Sequence, residues 1–238
     1  MSENAASATS ATSLAARFQP SQQASDDLWE VLYTTRAIRR LKPDPVSDEV
    51  LYRLLDTAIR APSGGNQQGW RFIVIRDRAT KERLGALYRE SIEGLFASGY
   101  GQAPPGVTFT PAQIEATEKM RRSAQYLATH FAEAPVYVLG CIRAAVNPGI
   151  TAGASIYPAI WSLQLAARAL GLGSTLTTVH RTREAQVKEL LGVPEGFETA
   201  ALIPLGYPRG RFAPGPRQPV EAVSFLDRWG AAFEQGRG

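Results

Sequence analysis

Apolar residues recur three and four positions apart in several stretches of the chain, and this spacing predicts amphipathic helices. The clearest stretch follows Ser47, a residue type that caps helix N-termini. Ser25 stands in the same position ahead of an earlier stretch. The predicted helices cover residues 28–32, 50–59, a segment from about 81, a segment from 110 to about 131, and 182–191.

Short apolar runs bounded by loop residues predict buried strands at 72–75, 135–142 and 199–205. The strands are far apart in sequence, and helices separate them. This order indicates an α+β fold or a mixed three-layer sandwich. Residues 98–106 hold too many glycines and prolines for regular structure, and a loop of that length is either a lid over a site or slack between helices.

Residues 154–170 differ from the other predicted helices because apolar side chains surround almost the whole helix. A helix of this kind is buried on most of its faces. In this chain it is either a central core helix or part of an interface between subunits, and we expect the interface because the apolar arc is too wide for a thin layer of a single chain. Its large apolar residues are Ile156, Ile160, Trp161, Leu163, Leu165 and Leu170.

Composition is that of a globular protein, with 44% hydrophobic and 20% charged residues in a chain of 238. Residues 1–24 are rich in Ala, Ser, Thr and Gln and predict a disordered extension, so one domain is expected over residues 25–238. The net charge of +4 is scattered along the chain, which argues against a nucleic-acid surface. No apolar run reaches the ~20 residues of a membrane span, and the N-terminus does not have the pattern of a signal peptide.

The sequence has too few cysteines and histidines for an intrachain disulfide or a typical metal site. Cys141 is the only cysteine, so no disulfide forms within the chain, a reducing cytoplasmic location is expected, and the thiol is interpreted as buried and structural. His130 and His180 lack a spaced set of carboxylates or thiols, so no metal site is predicted. The sequence has no G-x-S-x-G elbow and no G-x-G-x-x-G after a strand, so neither a serine nucleophile nor a Rossmann site is indicated.

Candidate chemistry is concentrated at residues 61–72, where the sequence is A-P-S-G-G-N-Q-Q-G-W-R-F. Asn and Gln side chains each offer a donor and an acceptor, which suits the edge of a planar heterocycle such as a flavin. The glycines let the backbone approach a flat ligand closely. A polar turn between a helix and a strand would have the same composition, so this loop alone leaves both interpretations open.

Four segments, taken in order, resemble those of the nitroreductase family of FMN-dependent oxidoreductases. Residues 35–41, T-R-A-I-R-R-L, are similar to the family pattern R-R-S-I-R-x-F, and the loop at 61–72 resembles A-P-S-x-x-N-x-Q-P-W-x-F. Residues 171–175 (G-L-G-S-T) and 204–208 (P-L-G-Y-P) follow. The resemblance extends from about residue 28 to 229 and implies a mixed, mainly antiparallel sheet flanked by helices.

The resemblance also implies which residues hold FMN. Arg36 and Arg39 would bind the phosphate and ribityl chain through forked hydrogen bonds. Asn66 would bond the pyrimidine edge of the ring, and a strand at 175–178 would direct a backbone N–H at flavin N5. The full set of cofactor residues is Arg36, Ala37, Arg39, Pro62, Ser63, Gly64, Asn66, Gln68, Leu176, Thr177, Thr178 and Arg217.

The chain departs from the family pattern at two positions of the first segment. Thr35 stands where the family has Arg, and Ala37 where it has Ser, so one charge and one hydroxyl are missing. A C-terminal arginine is expected to reach the phosphate. Arg217 is preferred for this role, and Arg209 and Arg211 remain rivals.

The function implied by the resemblance is a ping-pong oxidoreductase. NAD(P)H would give a hydride to FMN, and a nitroaromatic, quinone or similar substrate would then take the electrons. The cofactor carries this chemistry, so no protein nucleophile is needed. The family implies a homodimer with FMN between subunits. Reductive dehalogenation, fragmentation of the flavin itself, and non-catalytic flavin binding remain as alternatives.

Overall fold

The computed structural model describes residues 18–143 and 149–233. The helices are α1 (Leu28–Thr34), α2 (Asp48–Ala58), α3 (Arg78–Ala97), α4 (Pro111–Thr129), α5 (Ile150–Ala169) and α6 (Glu184–Leu191). The strands are β1 (Trp70–Ile75), β2 (Val136–Arg143), β3 (Gly173–Ser174) and β4 (Phe197–Gly206). Short 3-10 helices cover Gly64–Asn66, Phe131–Glu133, Val179–Arg183 and Val220–Ala222.

The strands form one sheet in the order β1-β2-β4-β3, and each neighbouring pair of strands is antiparallel. A parallel bridge between Ala37 and Ser174 extends the edge beyond β3. The predicted α+β fold with a mainly antiparallel sheet flanked by helices is therefore confirmed. No helix in the described part of the chain is both long enough and apolar enough to cross a membrane.

The sheet separates two hydrophobic cores, because successive side chains of a strand point to opposite faces. Val136 and Val138 of β2 pack into the core under α2 and α5. Tyr137, Leu139 and Cys141 of the same strand pack into the core under α3, α4 and α6. The molecule therefore has three layers, and the predicted burial of the Cys141 thiol is confirmed.

Helix α5 packs on the sheet as a core helix, one of the two alternatives that its apolar composition allows. Ile156, Ile160 and Leu163 are buried against the sheet, with Ile160 so close to Gly140 that a Cβ there would lie 3.1 Å from the Ile160 Cδ1 atom. Tyr157 and Trp161 remain partly exposed, and the Tyr157 hydroxyl donates to the Ala200 carbonyl of β4 at 3.4 Å. Ile156, Ile160 and Leu163 are thus used by the chain's own core, which corrects the expectation that they belong to a subunit interface.

Several predicted boundaries are wrong for local reasons. Asp27, and not Ser25, caps α1, because its carboxylate accepts from the N–H of Glu30 (2.7 Å) while the Ser25 hydroxyl donates to the Glu30 carboxylate. Helix α3 begins before residue 81, at the cap Asp77. The strand predicted at 175–178 is wrong, because β3 covers Gly173–Ser174 and only Thr177 of the predicted residues pairs, in an isolated bridge with Leu202.

Residues 21–23 lie against the body of the chain, so the predicted disorder of residues 1–24 does not extend to them. Ser21 pairs with Phe212, and the Gln23 carbonyl accepts from Arg168 at 3.0 Å. Arg168 is almost fully buried and also donates to the Glu30 carboxylate at 2.7 Å. Residues 1–17 of the predicted extension lie outside the described residues.

Candidate functional site

Three of the four sequence segments meet at one edge of the sheet. The N–H of Ile38 donates to the Ser174 carbonyl at 2.8 Å, which places residues 36–41 beside β3. On the other side the N–H of Lys42 donates to the Tyr207 carbonyl at 2.8 Å, and the N–H of Arg209 donates to the Arg40 carbonyl at 2.9 Å. The segment is therefore held between β3 and the end of β4.

Two glycines make this close packing possible. A Cβ on Gly173 would lie 2.9 Å from the Ile38 side chain, and a Cβ on Gly206 would lie 2.8 Å from Pro135 and 3.4 Å from Leu41. Separations under 3.0 Å leave no room for a side chain, so the backbone approaches because these residues have none. This is the physical reason for G-L-G and P-L-G-Y-P at these places in the sequence.

Arg36 and Arg39 leave this segment in different directions. The Arg36 guanidinium is exposed and donates to the Arg211 carbonyl at 3.1 Å. The Arg39 guanidinium turns toward α4, where its Nη1 lies 3.5 Å from the Ser123 hydroxyl. Burial lowers the pKa of Arg39, and the neighbouring Tyr88 and Tyr100 oppose that shift. The two arginines would thus meet different parts of a ligand as long as FMN, and Ala37 lies exposed between them.

The arginines around this segment have no carboxylate partner among the described residues. Arg60, Arg76, Arg168 and others form ion pairs elsewhere in the chain, but Arg36, Arg39, Arg209 and Arg211 appear in none. The Arg209 Nε instead donates to the Leu41 carbonyl at 3.0 Å. A group of guanidiniums without counter-charges favours an anion at this edge.

The segment after β3 lines the same region. Leu176 and Thr178 are exposed, whereas Thr177 is buried and is paired with Leu202 through both backbone hydrogen bonds. The Thr177 hydroxyl lies 2.9 Å from the Tyr88 hydroxyl of α3. Burial raises the pKa of Tyr88, so this phenol stays protonated and its O–H remains available as a donor. Tyr88 is a site neighbour that no sequence motif indicates.

The loop at residues 62–68 has the strained backbone that often marks a functional site. Asn66 has φ of 52° and Gln68 has φ of 50°, values that are uncommon for residues other than glycine. The Ser63 hydroxyl accepts from the N–H of Gln68 at 3.0 Å, and the Gln68 amide donates to the Asn66 side-chain oxygen at 3.1 Å. Pro62, Asn66 and Gln68 are exposed, so a ligand could contact them.

This loop lies at the opposite end of the sheet from residues 36–41. The Gly69 carbonyl accepts from the N–H of Arg143, which pairs with Phe197 at the start of β4. Residues 36–41 contact Gly206 at the end of β4, and a strand of ten residues is about 33 Å long. Similarly, the N–H of Gly64 donates to Ser155 near the start of α5. Within one chain, the predicted FMN residues therefore form two separate groups.

The outer face of the α5 layer is apolar and uncovered. Helix α5 exposes 93% of Ile150, 36% of Tyr157 and 42% of Trp161. Trp29 of α1 and Tyr52 of α2 are also exposed. Large uncovered apolar surfaces of this kind mark protein interaction sites.

The local contacts of Thr35 and Arg217 indicate whether each could reach a bound phosphate. The Thr35 hydroxyl is buried and donates to the Val31 carbonyl at 2.6 Å, so this residue completes α1 instead of facing a ligand. Arg217 is exposed and donates to the carbonyl of its neighbour Pro216 at 2.8 Å. Arg209 and Arg211 contact the 36–41 segment directly, whereas the role of Arg217 stays a prediction.

His180 is buried behind the Thr177 segment. In the part of the chain that the structure describes, neither ring nitrogen has a hydrogen-bond partner. Burial lowers the pKa of His180 to about 4, although Glu184 opposes the shift. No group of three His, Cys, Asp or Glu side chains within residues 18–143 and 149–233 is arranged to hold a metal ion.

Comparison with known proteins identifies relatives over most of the chain. The model of the nitroreductase family matches residues 32–207. The chain is 32% identical over 200 residues to an NADH dehydrogenase of Thermus thermophilus, covering 79% of this chain and 90% of that protein. It is 31% identical over 192 residues to a 5,6-dimethylbenzimidazole synthase of Rhodospirillum rubrum, covering 81% and 86%. A crystal structure of iodotyrosine deiodinase with FMN and 3-iodo-L-tyrosine superimposes with a TM-score of 0.66 at 24% identity, covering 85% and 98%.

Proposed function

The chain belongs to the nitroreductase family, and on that premise we propose that it is an FMN-dependent oxidoreductase that takes hydride from NAD(P)H and reduces a second substrate. The observation that carries the proposal is the group of arginines around residues 36–41 without carboxylate partners among the described residues. A bound phosphate would supply the missing negative charge.

The residues present fit FMN in both its phosphate and its ring. Arg36, together with Arg209 or Arg211, is proposed to hold the phosphate at the exposed edge of the segment. Arg39 turns away from that edge toward Ser123 of α4, so it is proposed to meet the ring end and not to share the phosphate as first predicted. A cation there stabilises a negative charge on the pyrimidine part of a reduced flavin. When bound, FMN supplies the hydride and electron transfer.

A single chain does not bring Arg36 and Asn66 together, so we propose that two chains form each site. In an isologous pair with α5 packed antiparallel on α5, the start of one helix lies beside the end of the other. The loop at 62–68 of one chain would then approach residues 36–41 of its partner. The exposed faces of Tyr157 and Trp161 support this pairing, because it covers them.

The proposed electron donor and the proposed electron acceptor are supported by different observations. The Thermus thermophilus relative is named an NADH dehydrogenase, which supports a nicotinamide donor. The relatives named as a deiodinase and as a 5,6-dimethylbenzimidazole synthase show that related proteins act on different compounds. A quinone or nitroaromatic acceptor is proposed for this chain, and a cytoplasmic location is proposed from its single cysteine.

The test is a pair of half-reactions with protein saturated with FMN. Anaerobic NADH or NADPH should bleach the flavin absorbance, and a quinone or nitroaromatic compound added afterwards should restore it. Iodotyrosine in the second step tests the dehalogenase alternative. Flavin that stays oxidised with both nucleotides would instead support a non-catalytic flavin-binding protein.

A further inference from the structure

Residues 21–25, which we call the strap, pack on the body of the chain next to the arginines proposed for the phosphate. Ser21 pairs with Phe212 in both directions: the N–H of Ser21 donates to the Phe212 carbonyl at 3.0 Å, and the N–H of Phe212 donates to the Ser21 carbonyl at 2.6 Å. The Gln22 side-chain amide donates to the Gly210 carbonyl at 2.9 Å. The strap therefore holds the backbone on both sides of Arg211.

The segment held in this way carries or orients the guanidiniums proposed to bind the phosphate. The carbonyl of Arg211 accepts the hydrogen bond from the Arg36 guanidinium at 3.1 Å. The N–H of Arg209 donates to the Arg40 carbonyl at 2.9 Å, which joins the segment to residues 36–41. Arg36, Arg209 and Arg211 are exposed, and ordering such side chains around an anion costs less when the backbone beneath them is already fixed.

The strap is itself anchored by a buried cation of the chain's own core. Arg168 of α5 donates to the Gln23 carbonyl at 3.0 Å and to the Glu30 carboxylate at 2.7 Å. Its guanidinium carbon also lies 4.1 Å from the centroid of the Phe212 ring. Arg168 thus joins the strap, helix α1 and the end of the 209–212 segment. All of these contacts are made within the protein, so the strap is in place before any ligand arrives.

The strap, S-Q-Q-A-S, contains no charged side chain, so it cannot neutralise a phosphate itself. We propose that the strap positions the phosphate site: Ser21 and Gln22 hold residues 209–212 so that Arg36, together with Arg209 or Arg211, meets the phosphate of FMN. Ser21 and Gln22 are positioning residues, because they act through the arginines. This inference rests on the proposed function, since the anion at this edge is the phosphate of FMN.

The test compares FMN with riboflavin, which lacks the phosphate, by fluorescence titration of the flavin-free full-length chain. Gln22→Ala should weaken FMN about threefold, and Ser21→Pro, which removes the N–H donated to Phe212, about fivefold, the scale of one hydrogen bond. Riboflavin should bind both variants as it binds wild type. Gln19→Ala changes an exposed glutamine ahead of the strap, and as the matched control it should leave both affinities unchanged.

The wild-type protein and Arg36→Ala separate a failure of this inference from a failure of the proposed function. Wild type that prefers FMN to riboflavin, and Arg36→Ala that loses this preference, would support the phosphate site. If Gln22→Ala and Ser21→Pro then keep the full wild-type preference, whether or not both affinities fall equally, the strap does not position that site and the inference alone is overturned. Wild type that binds riboflavin as tightly as FMN would overturn the phosphate site and the inference together.

Discussion

In the proposed dimer, replacing Trp161 with aspartate should separate the two subunits and release FMN at the same time. Trp161 keeps 42% of its surface exposed on α5, whereas Ile156, Ile160 and Leu163 of the same helix are buried. For a side chain of up to about 250 Å², this leaves roughly 100 Å² for a partner to cover. At about 25 cal/mol per Å², each tryptophan contributes about 2.5 kcal/mol to dimerisation.

A two-fold axis uses each residue twice, so the dimer loses about 5 kcal/mol, and its dissociation constant rises by more than about a thousandfold. The aspartate adds the cost of burying a charge. FMN should be lost in parallel, because a single chain does not bring the two groups of predicted cofactor residues together. Ile160→Asp is no substitute for this experiment, since Ile160 lies in the core of its own chain and the variant should unfold.

Light scattering coupled to absorbance measures mass and flavin content on one sample. Trp161→Asp should elute as a folded monomer without FMN. Ile114→Asp is the control, because Ile114 is a similarly exposed apolar residue on α4, in the opposite layer. A Trp161→Asp monomer that retains one FMN per chain would refute the shared site, and an intact dimer would refute the interface.

Four further results are expected. Arg36→Ala should weaken the binding of FMN by about 2 kcal/mol and the binding of riboflavin much less, as measured by fluorescence titration. Equal losses for the two ligands would exclude the phosphate role. Asn66→Ala should slow flavin reduction in stopped flow while FMN stays largely bound, and an unchanged rate would contradict its position at the ring. The Cys141 thiol should resist alkylation at pH 8 until the protein unfolds, because burial raises its pKa to about 11; rapid labelling of native protein would show otherwise. Burial lowers the pKa of His180 from 6.5 in the unfolded chain to about 4 in the folded protein, so the unfolded chain takes up this proton at higher pH. Stability should therefore fall as pH drops from about 6.5 to 4, and it should fall less in His180→Leu. Parallel urea titrations of the two proteins would decide.

The sequence was a good guide to the helices and strands because burial on one face dictates their pattern. The prediction of Ser25 as the cap of α1 is wrong because Asp27 is also a residue type that caps helices, and it is the Asp27 carboxylate that accepts from the N–H of Glu30. The sequence could not divide the faces of α5. An all-apolar helix indicates burial, but the contact of Ile160 with Gly140 determines which face meets the sheet and leaves Trp161 outside.

The sequence motifs of the candidate site could be predicted, but their arrangement in space could not. The glycines at 173 and 206 and the arginines at 36 and 39 are visible as motifs, and the structure brings these segments together. Nothing in a linear sequence shows that Asn66 lies at the other end of a strand of ten residues. Tyr88 has no motif at all, because it reaches Thr177 only through the packing of α3 against the segment after β3.

The most direct test of an FMN-dependent oxidoreductase is the visible absorbance spectrum of the purified protein, recorded before and after anaerobic addition of NADH and then NADPH. The expected result is a yellow protein with one flavin per chain, whose bands bleach with at least one of the two nucleotides. A colourless protein that takes up no FMN when it is supplied, or a flavin that neither nucleotide reduces, would contradict the proposed function.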